Sequence, residues 1–565
     1  MTSRSANRRV FLWFRTKTEE LFGADLRSLA VFRMILALIA LADLTMRADS
    51  LVPFYTDLGV LPRQVLLTDL SSRWRLSLLL MSGDVFVQAM LLTLAGLAAM
   101  ALLVGFRTRF VTIFLWVFFV SIHVRNPLVL SNADTLLRLL FFWAMFLPLG
   151  AFWSVDRARA SSPRPLSTRF LSFATVGLFA QIAFIYAFGA VFKSGAEWRT
   201  DYTAIYYALQ LDQMVTPFGE YLRQFPEILA LMTFGTYWFE ALGILLLFSP
   251  VLTGRLRTAG VLGYVLLHLG IRLTMTLGLF QWIAALAMVC FLPAWFWGKA
   301  PAIGRILSYR AGYERRYQWL NARLSRTLVP LPGALRLSPM MAWQAPPTVA
   351  AAQTSGMSDV AARRSPAGVN PGAGPGGPAK TLDVGGPVTL RSSIWANLLA
   401  AFFLVYIFAF NLSTISDFRI PPPLAPIGSL LRLEQKWSMF SPYPNKRDGW
   451  FVIPGELRDG RQVELSAVTL GDFAIQEGVS WEKPERVADT FKDLHWRKYM
   501  VNLVDPQHAD LRLYFGRYVC REWDARHDGG ENLQSFQLYY MVEPTLPDYQ
   551  TVEPSRLVLW KHRCS

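Results

Sequence analysis

The chain is poor in cysteine, histidine and charge. Its three cysteines, Cys290, Cys520 and Cys564, are too few for a disulfide framework or for a thiolate zinc site of the usual kind. Its six histidines are too scattered to suggest a metal cluster, so no metal is expected. Charged residues make up 17% of the 565, against roughly a quarter in a soluble protein, while hydrophobic ones make up 53%. That balance excludes an ordinary soluble domain and describes an integral membrane protein. The formal net charge of +16 invites a nucleic-acid partner. Its distribution argues against one, because the excess lies in loops on one side of the membrane. The start, residues 1–27, is basic and polar, and the first apolar run behaves as a span that stays, not as a cleavable signal peptide.

Apolar runs lie near residues 28–46, 85–104, 110–124, 135–153, 170–192, 228–250, 258–276, 277–297 and 394–412. The 110–124 run is short, and 258–297 can be divided differently around Thr274-Met275-Thr276-Leu277-Gly278. Runs of this length cross a bilayer as helices. The expected fold is an all-α polytopic membrane bundle of about nine transmembrane helices. Loop charges set its orientation. With Arg4, Arg8, Arg9, Arg15, Lys17 and Arg27 on the cytoplasmic side, Arg107, Arg109, Arg157, Arg159, Arg255 and Arg257 fall there too. The loops 47–84, 125–134 and 193–227, on the other side, are balanced or slightly acidic.

The expected domains are a cytoplasmic segment 1–27, a transmembrane domain 28–297, a cytoplasmic segment 298–393, a last span 394–412 and an extracytoplasmic domain 413–565. The cytoplasmic segment 298–393 starts basic and passes, over about 345–387, into an Ala/Gly/Pro/Ser stretch that cannot bury enough apolar surface to order itself. The tail carries short alternating runs, Gly449-Trp450-Phe451-Val452-Ile453 and Gln462-Val463-Glu464-Leu465, with Arg458-Asp459-Gly460 as a hairpin turn between them. A small, mostly β domain is expected there. In an oxidising compartment Cys520 and Cys564 could pair, which spacing alone leaves open.

Lys193 is the most informative residue. It ends the apolar run at Phe188-Gly189-Ala190-Val191-Phe192-Lys193, just before Ser194-Gly195-Ala196-Glu197-Trp198. Two roles suit such a border. One is an anchor whose ammonium snorkels to the headgroups. The other is a partly desolvated amine able to act as a base near neutral pH. Three polar and aromatic loops share its side: 54–63, 125–134 and 197–202. They form either the rim of a site or merely solvated loops. Ionisable residues inside the apolar runs are Arg33, Arg138, Glu240, His268 and Arg272. Glu240 is expected to be protonated or paired in a buried structural ion pair, with Arg33 or Arg272 as the fitting partner. His268 and Arg272, four apart, share a helix face. His268 is either a partner of Lys193 or a packed polar group.

These residues together resemble the horizontally transferred transmembrane (HTTM) proteins, bacterial relatives of vitamin K-dependent gamma-glutamyl carboxylase. The segments that carry the resemblance are Phe54-Tyr55-Thr56-Asp57-Leu58-Gly59-Val60-Leu61-Pro62-Arg63, Phe146-Leu147-Pro148-Leu149-Gly150 with Ser154-Val155-Asp156, Lys193-Ser194-Gly195-Ala196-Glu197-Trp198, and His268-Leu269-Gly270 with Gly278-Leu279-Phe280. They span roughly residues 20–300. Trp437-Ser438-Met439-Phe440-Ser441-Pro442 and Asp448-Gly449-Trp450 look like the tail of bacterial members. The resemblance implies a quinol-driven carboxylase architecture in a bacterial inner membrane. Lys193 takes the place of the lysine that deprotonates reduced vitamin K or menaquinol. Oxygen then turns the quinol anion into a base strong enough to remove a glutamate γ-proton, and the carbanion takes up carbon dioxide. Glu197, Trp198, His268, Arg272, Asn132 and Asp134 are the expected supporting or quinol-binding residues. The chain departs from the carboxylases at Ser131-Asn132-Ala133-Asp134-Thr135, where their carbanion-stabilising histidine is missing; His123 lies on the wrong side of the turn. Its tail is also shorter than their substrate-binding region. Two functions therefore stand: a membrane enzyme using Lys193 on a reduced quinone, with or without carboxylation, or a non-catalytic membrane protein that binds lipid or a partner through its outer domain. A transporter is a weaker third, since no internal symmetry is visible.

Overall fold

The computed structural model describes residues 13–68, 76–160, 167–299, 390–547, 550 and 552–564. The expected Ala/Gly/Pro linker, nearly all of the basic segment before it and residues 1–12 lie outside these. Among the described residues six helices are long and apolar enough to cross a membrane. They are α1 (Leu26–Ala48), α2 (Val85–Val104), α3 (Thr108–Arg125), α5 (Phe173–Phe192), α7 (Thr253–Thr274) and α9 (Ile394–Ser413). Three further apolar runs form shorter helices: α4 (Asn132–Ala144), α6 (Pro226–Leu242) and α8 (Phe280–Ala287).

Local chemistry sets these ends. Asp84 caps α2 through the N–H groups of Phe86 and Val87, and Ser172 caps α5 through that of Thr175. Ser131 and Asp134 form a capping box at the start of α4. The run 135–153 reads as one span, yet its helix stops at Ala144. The chain then turns through Pro148, and the carbonyls of Leu149, Phe152 and Trp153 turn to the buried Arg33 of α1 at 2.9, 3.2 and 2.6 Å. Arg33 is therefore not the partner of Glu240. The outer side of α2 exposes Phe86, Met90, Leu94 and Leu97, an apolar face suited to hydrocarbon.

The tail holds a five-stranded antiparallel sheet: β1 (Arg447–Val452), β2 (Pro454–Leu457), β3 (Gln462–Glu464), β4 (Leu533–Pro544) and β5 (Ser555–Arg563). The long β4 pairs with β1 (Trp450 opposite Met541), with β2 (Gly455 opposite Phe536) and with β5 (Leu538 opposite Trp560). The expected turn forms, but its hairpin joins β2 to β3, while the run expected as its first strand, 449–453, lies mostly in β1 and pairs with β4. The turn needs Gly460, whose φ of 90° lies in the left-handed region. The tail is less β-rich than expected, because it also holds α10 (Leu494–Val504) and α11 (Arg512–Asp524); α11 packs against β4 and β5, and α10 sits between α11 and Phe54 of the bundle. Their buried faces, with Trp496, Tyr499, Phe515 and Trp523, complete its core. Cys520 of α11 and Cys564, just past β5, form a disulfide.

The tail docks on the helix bundle through polar contacts. Arg497 donates to the carbonyls of Gln213 and Thr276 at 2.8 and 3.1 Å, and Asn502 to that of Leu128 at 2.6 Å. The Ser50 hydroxyl donates to Asp493 at 3.0 Å.

Candidate functional site around Lys193

Lys193 closes α5, its N–H donating to the carbonyl of Gly189 at 3.2 Å. Its side chain does not reach outward to headgroups. It runs back along the helix, so that Nζ lies 3.9 Å from where a Cβ on Gly189 would stand. The residue is 6% exposed. Its ammonium forms an ion pair with the carboxylate of Glu240 on α6. The same Nζ lies 5.0 Å from the centroid of the Trp198 ring, a cation–π contact. The partner of Glu240 is thus Lys193, where Arg33 or Arg272 was expected. A buried charge is stable only when paired, and this pair satisfies both groups.

Trp198 is placed by the short helix Ala196–Arg199 and by its indole N–H, which donates to the carbonyl of Phe440 at 2.9 Å. Gly195 N–H donates to Pro442 O at 3.0 Å. Glu197 precedes Trp198 on that helical turn and so faces another way. It pairs with Lys446 at 2.6 Å, and Lys446 in turn lies 4.6 Å from the Tyr207 ring centroid. Glu197 is therefore a tie between this loop and the tail, not a wall of the site.

Beside Lys193 opens a mostly apolar cavity of about 220 Å³. Tyr186, Gly189 and Lys193 line it from α5, and Met232, Thr236 and Glu240 from α6. Leu266, His268, Gly270 and Ile271 line it from α7, and Trp437, Met439 and Phe440 from the tail. Leu266 is 66% exposed, and a Cβ on Gly270 would meet nothing within 4 Å, so the cavity has a mouth on the side of α7. His268 packs inside, its Nε2 at 2.8 Å from the hydroxyl of Tyr186. Arg272 is half-buried on the same helix but does not line the cavity.

The other expected residues gather elsewhere. Arg125 donates to the carbonyls of Leu61 and Thr56, both at 2.8 Å, and Asn126 to that of Phe54 at 3.1 Å, which joins the loops 54–63 and 125–134. Beneath them Asp134 pairs with Arg47, which also holds Asp43 at 2.6 Å and the Tyr55 hydroxyl at 2.5 Å. His123, placed by sequence on the wrong side of the turn, comes within 3.4 Å of Asp134 across the α3–α4 connection. Arg138 lies 3.3 Å from its Nδ1. Since an arginine only donates, Nδ1 accepts and the ring proton faces Asp134. Asn132 is half-buried in the first turn of α4. None of His123, Asn132 and Asp134 lines the Lys193 cavity, and the third loop, 197–202, is tied to the tail through Trp198 and Glu197.

Residues 23–295 match the family model of the HTTM domain. This chain carries an HTTM domain. No curated protein and no solved structure matches it. The HTTM domain, with its apolar helices, makes this a membrane protein. It contains Lys193, Glu240, Trp198, Tyr186 and His268, whereas Trp437, Met439 and Phe440 come from beyond it.

Proposed function

We propose that this HTTM-domain protein is a membrane enzyme of quinol chemistry, in which Lys193 is the base toward a hydroxyl of a reduced quinone of the vitamin K or menaquinol class. The observation that carries the reading is the inward turn of Lys193, which presents an amine, paired with Glu240, at the wall of an apolar cavity. The residues suit such a group. At about 220 Å³ the cavity is smaller than the roughly 300–1,000 Å³ of drug-sized sites, enough for a flat ring head but not for a long tail. The mouth beside Leu266 and Gly270 lets a tail run out into hydrocarbon.

When bound, a reduced quinone supplies, with oxygen, a far stronger base than any side chain. The protein's own task is to start that chemistry. The Lys193 ammonium donates to the Glu240 carboxylate, which is therefore placed to take a proton from it. With that proton on the carboxylate, the amine is free to accept another from a hydroxyl in the cavity. Trp198 holds the amine in place, and the apolar walls keep water away from it. The tail, with its Cys520–Cys564 disulfide, is best placed in an oxidising compartment, in agreement with basic loops on the cytoplasmic side.

The test is turnover of purified protein with vitamin K hydroquinone and oxygen. Epoxide should form with wild type and be lost in Lys193→Ala, while Glu197→Gln keeps most of the activity. Absence of epoxide with every quinol tried, or full activity in Lys193→Ala, overturns the proposal and favours a non-catalytic lipid- or partner-binding protein. Incorporation of labelled carbon dioxide into glutamate tests carboxylation separately.

A further inference from the structure

A second cavity, of about 270 Å³, lies at the turn between α2 and α3, on the side where α5 begins, whereas Lys193 ends α5. The segment 146–156, which has no part in the Lys193 cavity, builds it. Arg33 fixes this segment through the carbonyls of Leu149, Phe152 and Trp153. Asp156 ties it to the first turn of α3, accepting from the N–H groups of Arg107 and Thr108 at 2.8 and 2.7 Å and from the Thr108 hydroxyl at 2.5 Å. A Cβ on Gly150 would stand 2.9 Å from Thr108 Oγ1 and 3.1 Å from an Asp156 oxygen, so the close approach needs glycine there. Arg109 and Arg157 line the cavity, and Leu147, Pro148 and Leu390 give it apolar walls. Asp156 lines it as well, but three donors already hold its carboxylate, which leaves a surplus of positive charge. Phe110, next to Arg109 on α3, is 63% exposed and offers an apolar side to hydrocarbon.

We propose that this cavity binds the headgroup of an anionic phospholipid. Arg109 and Arg157 take the phosphate, the apolar walls take the first carbons of the lipid, and its chains run along α3 past Phe110 into the bilayer. A free phosphate would satisfy the arginines but gain nothing from Leu147, Pro148 and Leu390; a phospholipid uses both. The basic loops place this side in the cytoplasm, where the facing leaflet is anionic. The site stands apart from the Lys193 chemistry, at the other end of the bundle.

The experiment titrates the full-length protein, in a neutral detergent, with phosphatidylglycerol or with phosphatidylcholine of the same chains, and native mass spectrometry counts the lipids retained. Wild type should retain phosphatidylglycerol at least about tenfold more tightly, because choline offsets the phosphate charge that the arginines recognise. Arg109→Gln with Arg157→Gln should cut that preference to about twofold or less. Arg107→Gln with Arg159→Gln removes the same charge from exposed positions that do not line the cavity, and should keep most of it. Equal retention of both lipids by wild type overturns the proposal. So does an equal loss in the two double variants, which marks diffuse attraction to a basic surface. Displacement of phosphatidylglycerol by inorganic phosphate overturns the lipid as the ligand. If the first double variant fails to fold, Ala160→Trp decides. Ala160 is exposed on the rim, so added bulk there should block the lipid with both arginines in place, and an undiminished preference overturns the site.

Discussion

Removing Glu240 should destabilise the protein far more than losing an ordinary surface charge. The side chains of Lys193 and Glu240 are only 7% and 13% exposed. Breaking a buried pair from one side leaves an uncompensated charge and costs about 3–5 kcal/mol, whereas replacing both partners with apolar groups of similar volume is often neutral. Glu240→Leu strands the ammonium, and Lys193→Met strands the carboxylate. Each should cost about 3 kcal/mol or somewhat less, since a stranded group can neutralise by losing or gaining a proton. The double variant should return to within about 1 kcal/mol of wild type, giving a coupling of several kcal/mol in a double-mutant cycle. The assay is equilibrium unfolding in mixed micelles followed by tryptophan fluorescence. Were Lys193 a solvated headgroup anchor, both single variants would cost about 0.5 kcal/mol and add without coupling. Additive, small effects would refute the inward-turned pair and, with it, the basis for a lysine base in the cavity.

A second prediction concerns Asp448, at the tail's contact with the bundle. Burial pushes its carboxyl up from the ordinary 3.8 to about 6, with a smaller contribution from the nearby Asp212. The folded state therefore holds this proton more tightly than the unfolded one. Its contribution to stability is present at low pH and is lost as pH rises from about 4 to about 6, by at most about 3 kcal/mol. Asp448→Asn should flatten that part of the pH–stability curve; an unchanged curve refutes the assignment. Cys520→Ser with Cys564→Ser opens a connection spanning 44 residues and should weaken the tail by roughly 4 kcal/mol on the chain-entropy estimate, read as faster proteolysis of the tail. Equal protease resistance would show that the sheet and helices suffice without it. A Cβ on Gly195 would stand 2.9 Å from Pro442 O and 2.7 Å from a Glu197 carboxylate oxygen. Gly195→Ala should therefore push residues 440–442 off Trp198 at a cost of about 1–3 kcal/mol and weaken binding of vitamin K hydroquinone. Unaltered binding would mean that the strap plays no part in shaping the cavity.

Hydropathy made much of the helical framework legible, because a span announces itself by length and composition. It gave the depth of Lys193 but not its azimuth. Whether that side chain turns outward or runs back past Gly189 depends on what stands beside α5, and Glu240 comes from 47 residues away in the chain. The mistaken partner for Glu240 has the same origin. Arg33 is satisfied by the carbonyls of Leu149, Phe152 and Trp153, and backbone acceptors do not show in a sequence. His123 lies on the wrong side of the turn along the chain, yet α3 and α4 fold back so that it meets Asp134. Helix α10 did leave a signal. Trp496, Tyr499, Met500 and Leu503 recur at i, i+3, i+4 and i+7 and are all buried. Their helical period was masked by the alternating runs nearer the start of the tail.

The cavity also explains why the tail and the HTTM domain belong to one site. The family match ends at residue 295, and the helices it covers supply the amine, the carboxylate and the imidazole. They leave one wall open. Trp437 fills it, its indole N–H donating at 2.8 Å to Gln435, whose side chain accepts from Gln181 of α5 at 2.7 Å. Phe440 O receives the Trp198 indole N–H from the same strap. Two tryptophans thus face the cavity, one from within the domain and one from beyond it. Each indole N–H is satisfied by a group of residues 435–440, so the ring that holds the Lys193 amine is oriented by the tail. An aromatic side chain fixed at both its apolar body and its polar edge has little freedom left. The chemistry-bearing residues therefore reside in the HTTM domain, while the rigidity that lets them hold a flat ring comes from the segment that follows the last apolar helix.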